Sequence, residues 1–245
     1  MTLLFVTFIG TVVFSLWDLV AVAVVGRTLG ARPLELGLFI GPRKVLFHIG
    51  TLPFSLGLIP IGNYVRFLSL AEQDGRSDQN LDSPIERGAE REWHSMRGPA
   101  EPRFFEQLHP LRRIAIILSG AVVLFITAAA VLGISEATAS VLAGFPQILR
   151  GAFDHDYAEQ LLLGGASLIP AGRILEYEAV LLTKLLSVNL LPILPFWGGY
   201  TVLYLASMFL KREVSVPGTL ESTSILIAIV VSGIWIVRFL NVAFR

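Results

Sequence analysis

The sequence predicts an all-α multi-pass membrane protein of about four spans, with a small membrane-associated β-hairpin or sheet near the amino terminus. Three observations carry this. Hydrophobic residues make up 54% of the 245 and charged ones 16%, with a mean hydropathy of +0.69, too apolar for a water-soluble domain. Apolar runs of roughly twenty residues recur along the chain, the length that crosses hydrocarbon as a helix. Between the first two runs lies a stretch dense in Gly and Pro, whose apolar pieces are too short to cross and read as strands with turns.

Residues 1–28 form the first span, apolar except for Ser, Thr and one intramembrane charge, Asp18. A carboxylate at that depth is costly and marks a candidate functional position. No basic region precedes the apolar run and no small-residue cleavage site follows it, so it is read as a retained span. Residues 29–70 hold the short apolar runs 45–47, 52–61 and 64–68, with turns expected at Gly41-Pro42 and Gly62-Asn63. Residues 71–110 are charged, poor in β-branched side chains and without an amphipathic period, which predicts a solvated cytoplasmic loop. A second span covers 111–134, opening on Arg112-Arg113.

Residues 135–174 are too polar to span and too apolar for disorder, and predict amphipathic or re-entrant pieces at the interface. Their Asp154-His155-Asp156 run resembles a metal cluster, but neighbouring side chains on a loop do not converge on one ion without a further ligand. Residues 175–212 are a third span, and 222–245 a fourth. The third is broken. Its NLLPILPFWGGY stretch places Asn189, Pro192, Pro195, Gly198 and Gly199 inside the apolar run. Broken backbone leaves N–H and C=O groups that hydrocarbon cannot satisfy, so such a break persists where protein or a water-filled cavity surrounds it, commonly at a functional site.

Lys plus Arg equals Asp plus Glu at 19 each, so no overall basic field points to nucleic acid. Cysteine is absent, which removes disulfides, thiolate metal sites and a cysteine nucleophile. Lys and Arg are concentrated in the first loop and at Lys211-Arg212. The positive-inside rule then places both termini outside and the first and third loops in the cytoplasm.

Five stretches stand out in order: RTLGARPLELGLFIGPRKVLF; GLIPIGNYVRF; FFEQLHPLRRIAIILSGAVVLF; FPQILRGAF with LLLGGASLIPAG; and NLLPILPFWGG. Together they resemble the site-2 protease family of intramembrane zinc metalloproteases, with Asn63 where the family has Gly, and Ala121 and Leu124 where Pro and Asn are usual. The resemblance implies a site-2 protease-like core whose interfacial segment stands in place of a PDZ domain. It also implies a setting in a bacterial inner (plasma) membrane.

In that family the first span carries HExxH, two His one turn apart for zinc and a Glu to polarise the attacking water. Aligning Arg27 and Gly30 with the family puts Asp18 at the first His, Leu19 at the Glu and Val22 at the second His. Trp197 stands where an Asp supplies the third ligand. The same conclusion follows from chemistry. A catalytic zinc takes about three protein ligands, whereas the spans offer one plausible ligand, Asp18, and Leu19 has no basic atom. The four His residues, 48, 94, 109 and 155, lie outside the spans. No zinc or other cofactor is expected. Asp18 is then either a protonated remnant or a partner for the Asn189 amide.

The expected function is that of a pseudoprotease that binds or stabilises another membrane protein or transmembrane segment within the bilayer, without nucleic acid. Gly62, Asn63, Tyr64, Val65 and Arg66 are the candidate partner-binding residues, by strand addition. The alternatives are an active intramembrane metalloprotease with non-standard ligands, and a structural subunit of a membrane complex. A transporter fits poorly, since one membrane carboxylate and no internal repeat leave little from which to build a substrate path.

Overall fold

The computed structural model describes residues 2–68, 104–212, 214 and 218–244, so most of the polar loop expected over 71–110 lies outside the described residues. The chain divides into two units, one made of residues 19–116 and the other of residues 1–18 with 117–245. The elements are helix α1 (Thr2–Thr28), strands β1 (Pro33–Ile49) and β2 (Leu52–Phe67), a short 3-10 turn (Phe105–Gln107), and helices α2 (Pro110–Leu132), α3 (Ile134–Phe153), α4 (His155–Ala166), α5 (Ile174–Asn189), α6 (Trp197–Leu210) and α7 (Gly218–Ala243). Three of them, α1, α2 and α7, are long and apolar enough to cross a membrane. The expected third span is two shorter helices, α5 and α6, separated by residues 190–196.

The unit of residues 19–116 is built around the end of α1. Gly30 adopts φ +95°, its N–H donates to Arg27 O, and the N–H of Ala31 donates to Gly26 O. This is the glycine-terminated helix end that a TLGARP sequence favours, with Pro33 three residues beyond Gly30. Ala31, Leu108 and Ile116 form a small core joined by Val22, Val25, Leu29, Phe67 and Phe105. The rings of Phe67 and Phe105 stack at 5.3 Å. Gly26 makes room for them, since a Cβ there would lie 2.5 Å from the Phe67 ring.

β1 and β2 pair antiparallel, and each bends, at Gly41 (φ +93°) and Gly62 (φ +72°). These bends fall at the two turns read from the sequence, while the hairpin reversal lies at Gly50 (φ +63°) and Thr51. Bending makes four arms from two strands. Leu36 is paired with both Val65 and Phe54, and Leu38 with both Asn63 and Leu56, so the first arm is flanked on both sides. The arm over residues 43–49 pairs with 52–57.

The other unit is helical. Leu124, Ala128, Ala137, Ala179 and Leu182 form one core cluster, with Phe14, Phe125 and Trp197 against it. Ala121, Val141 and Leu186 form a second, again joined by Trp197. α3 follows α2 after the single residue Gly133, at φ +86°; Ala128 and Ala137 share the first cluster, and Ala121 and Val141 the second. The stretch 135–174 therefore supplies a 20-residue helix that packs lengthwise on α5. Small residues permit this: a Cβ at Gly144 would lie 2.1 Å from Ser187 Oγ. At its far end α3 is held by α7. Arg238 donates to the carbonyls of Gly151, Ala152 and Asp154, and Trp235 Nε1 to Ile148 O at 3.1 Å. Asp154 then caps α4, accepting from the Tyr157 N–H at 3.0 Å.

Candidate functional site

α1 places Asp18 and Val22 one turn apart on one face, with Leu19 beside them. All three are inward. Leu19 is 1% exposed and Asp18 5%, while Val22 packs on the Ala31–Leu108–Ile116 core. Asp18 lies against Gly120 of α2, so closely that a Cβ there would overlap Oδ1 at 1.5 Å. The same point is 3.5 Å from Cη2 of Trp197, the first residue of α6. Position 120 is thus where a carboxylate and an indole edge both approach bare backbone.

Of the four residues aligned with the metal-binding and general-base positions, only Asp18 has a donor atom for zinc. Leu19 and Val22 are aliphatic, and the Trp197 ring is committed to both helical core clusters. Among the described residues no group of three His, Cys, Asp or Glu converges to hold a metal ion. This donor set does not fit a catalytic zinc, which takes about three protein ligands and a water.

Asn189 ends α5 and turns onto its own helix, Nδ2 donating to Leu185 O at 2.9 Å. Its amide is therefore not the partner of Asp18 that the sequence allowed. Pro192 and Pro195 lie in the turn between α5 and α6. Gly198 and Gly199 are buried in the first turn of α6, where the helix sits directly on that turn's backbone. A Cβ at Gly198 would be 2.2 Å from Leu190 O, and one at Gly199 would be 2.6 Å from Ile193 C. The Gly-Gly pair is what the break needs sterically, whatever chemistry it serves.

The candidate partner-binding residues lie on the last arm of the sheet. Asn63, Tyr64, Val65 and Arg66 pair with Leu38, Gly37, Leu36 and Glu35, and Gly62 provides the bend before them. Tyr64 and Arg66 turn onto Glu35, a residue the sequence reading did not single out. Glu35 Oε1 accepts from Ser55 Oγ at 2.7 Å and Tyr64 Oη at 2.6 Å, and lies 3.5 Å from Arg43 Nη1. Oε2 lies 3.3 Å from Arg66 Nε. Each arm contributes to this network. Burial by itself would raise the Glu35 carboxyl, but the Tyr64 and Ser55 hydroxyls and the Arg66 and Arg43 charges outweigh it and hold the group below its ordinary value. The tyrosine ring lies flat on Gly37, where a Cβ would meet it at 1.9 Å. A signal existed, for Glu35 is the lone acid among the basic residues of the 29–70 stretch.

Beyond the Glu35 network the sheet is apolar and open. Val45, Leu46, Phe47 and Ile49 are each about half exposed, and Leu58 is 77% exposed. Exposed apolar strands of this kind are covered by lipid or by another chain.

A chain with helices able to cross a membrane, a bent hairpin sheet following the first of them and a proline-broken helix pair near its end defines an integral membrane protein built around an interrupted helix. Residues 23–233 match the model of peptidase family M50, the site-2 protease family, and the chain belongs to it. The match begins one residue after Val22, so the five aligned motif positions 18–22 lie just outside it. No curated protein matches the chain.

Proposed function

We propose that this chain is a catalytically inactive member of the site-2 protease family that binds or stabilises another membrane protein. The observation supporting this is the packing at the aligned motif positions. A buried Leu19, a Val22 in a hydrophobic core and a Trp197 shared by two clusters occupy the places of a general base and two metal ligands. The chain also keeps the bent hairpin sheet and the Gly-Gly pair that follows the break. In this reading zinc is not bound, both termini lie outside a bacterial plasma membrane, and the first and third loops are cytoplasmic. The partner is an extended or transmembrane segment that adds to the sheet at Gly62–Arg66.

The test is affinity purification of the full chain from native membranes in a gentle detergent, read beside elemental analysis. The expected result is co-purification with a specific membrane protein, weakened when residues 63–67 are scrambled, and zinc far below one per chain. Stoichiometric zinc that disappears in Asp18→Ala would overturn the inactive reading and favour a protease with unusual ligands. Recovery only as a free monomer would overturn the partner-binding reading.

A further inference from the structure

A cavity of about 410 Å³ opens between α4 and α7, lined by His155, Gly233, Ile234, Val237, Arg238 and Asn241. The five α7 residues recur at helical spacing and share one face. Polarity changes along that face. Gly233, Ile234 and Val237 make an apolar trough, and Arg238 and Asn241 follow toward the carboxyl-terminal end, where α4 contributes His155. Gly233 lies farthest from that end, and a Cβ there would meet nothing within 4 Å.

The polar end falls at headgroup depth. The 26 residues of α7 extend about 39 Å, roughly 9 Å more than a hydrocarbon core. A centred helix therefore has about three residues outside the hydrocarbon at each end. Asn241 then stands among headgroups, and Arg238 lies about 3 Å inside, a depth its long side chain can span.

Arg238 has capacity to spare. Its guanidinium donates to the carbonyls of Gly151, Ala152 and Asp154, which uses three of five N–H groups. Carbonyls solvate the cation without neutralising it, and among the described residues Arg238 makes no ion pair. The Asp154 carboxylate lies close enough to feel Arg238, but it is bonded to Arg150 at 3.3 Å and to the Tyr157 N–H at 3.0 Å. Acids limit what anion suits this end. Arg150 and Arg238 stand against Asp154, Asp156 and Glu159, so a multiply charged headgroup would meet more acid than base. One phosphodiester carrying its own ammonium avoids that repulsion.

Shape narrows the choice further. Spread over the roughly 12 Å from Gly233 to Asn241, the 410 Å³ gives a channel some 6–7 Å across. A helix with its side chains is about 10–12 Å wide and does not enter. An acyl chain does.

We infer that this groove binds one zwitterionic phospholipid, with its phosphate on Arg238 and Asn241 beside His155 and one acyl chain along Gly233, Ile234 and Val237. The trough confers no affinity of its own, because the bilayer is equally apolar. It orients the lipid, and the charge-assisted hydrogen bonds retain it. The inference is independent of the partner-binding reading, which concerns the sheet.

The test places the full chain in nanodiscs of phosphatidylethanolamine, phosphatidylglycerol and diacylglycerol in equal amounts, releases it into detergent and counts retained lipids by native mass spectrometry. One phosphatidylethanolamine per chain should remain, while diacylglycerol, which has no phosphate, is lost. Asn241→Leu removes a headgroup contact, and Gly233→Phe fills the trough while leaving the carbonyl bonds of Arg238 in place. Each should lower the occupancy roughly tenfold, the equivalent of one charge-assisted hydrogen bond. Arg238→Ala should lower it further; should that variant fail to fold, by size-exclusion profile and circular dichroism, the other two decide. No lipid on the wild type, equal retention of diacylglycerol, replacement by phosphatidylglycerol, or wild-type occupancy in either Asn241→Leu or Gly233→Phe would overturn the inference. So would full displacement by an equal amount of soluble glycerophosphoethanolamine, which would assign the site to a free phosphate ester. A lipid retained by a chain that co-purifies with no membrane protein leaves this inference standing and defeats the partner-binding reading.

Discussion

Replacing Gly198 or Gly199 with alanine should cripple the fold, and the size of the effect follows from what the new methyl group meets. At Gly198 it would lie 2.2 Å from Leu190 O and 2.5 Å from Leu191 O, and at Gly199 2.6 Å from Ile193 C and 2.7 Å from Ile193 O. A carbon normally approaches a carbonyl oxygen no closer than about 3.3 Å, so α6 must retreat by on the order of an ångström or unwind. Inserted methylenes cost about 1–3 kcal/mol where side chains can move aside. Here the obstacle is backbone, so about 3 kcal/mol is the floor, which lowers the melting temperature of a chain this size by roughly 6–12 °C. The internal comparison is Gly10→Ala, whose methyl would sit 1.8 Å from Glu178 Oε2. That contact is nominally worse, but it is the tip of a rotatable side chain, and the cost should stay near 1 kcal/mol. Gly164→Ala on α4 has nothing within 4 Å and should gain about 0.5–1 kcal/mol. Melting of the purified full chain, followed by tryptophan fluorescence and size exclusion, gives the order. If Gly198→Ala and Gly199→Ala both melt within about 2 °C of the wild type, less than 1 kcal/mol is at stake, and the close seating of α6 on the turn is refuted.

Three further outcomes are expected. Because the Glu35 carboxyl is held below its ordinary 4.5, its contribution is complete above that pH and disappears as pH falls through the lowered folded value. Glu35→Gln should therefore lower stability at pH 7 and flatten the acid limb of a denaturation profile, and an unchanged profile would discount the network. Arg238→Ala removes the donor for three carbonyls at the end of α3 and should cost about 3 kcal/mol, with Lys at that position recovering only part, both read by thermal melting. Trp197→Ala vacates a ring shared by two clusters and should cost about 3 kcal/mol without conferring zinc binding, checked by melting and elemental analysis.

The long apolar helices and the break were legible because hydropathy and Pro/Gly placement report directly on what can cross hydrocarbon and what interrupts it. The break read at residues 189–200 is the turn between α5 and α6, and the bends at Gly41 and Gly62 followed from glycine's access to positive φ. The hairpin reversal at Gly50-Thr51 was less visible because an apolar run resumes at once with Leu52. α3 was hidden for a different reason. Its seat depends on Ala137, Gly144 and Gly151 lying on one stripe and admitting neighbours closely, a matter of shape that summed hydropathy does not register. Glu35 stood in plain view, but only the four-armed sheet brings Arg43, Ser55, Tyr64 and Arg66 to it. The approach of Asp18 and Trp197 to Gly120 joins three helices and could not be read from spacing along any one of them.

On the proposed reading, that meeting at Gly120 would make a departure from a metal-binding arrangement hard to retrace. Trp197→Asp alone would empty the volume of an indole shared by both helical core clusters and set a second carboxyl close to Asp18. Leu19→Glu alone would drive a charge into a place now 1% exposed. Each of these two steps toward a ligand cage would pass through a less stable protein, so on that reading drift at these positions would run in one direction, as in a ratchet.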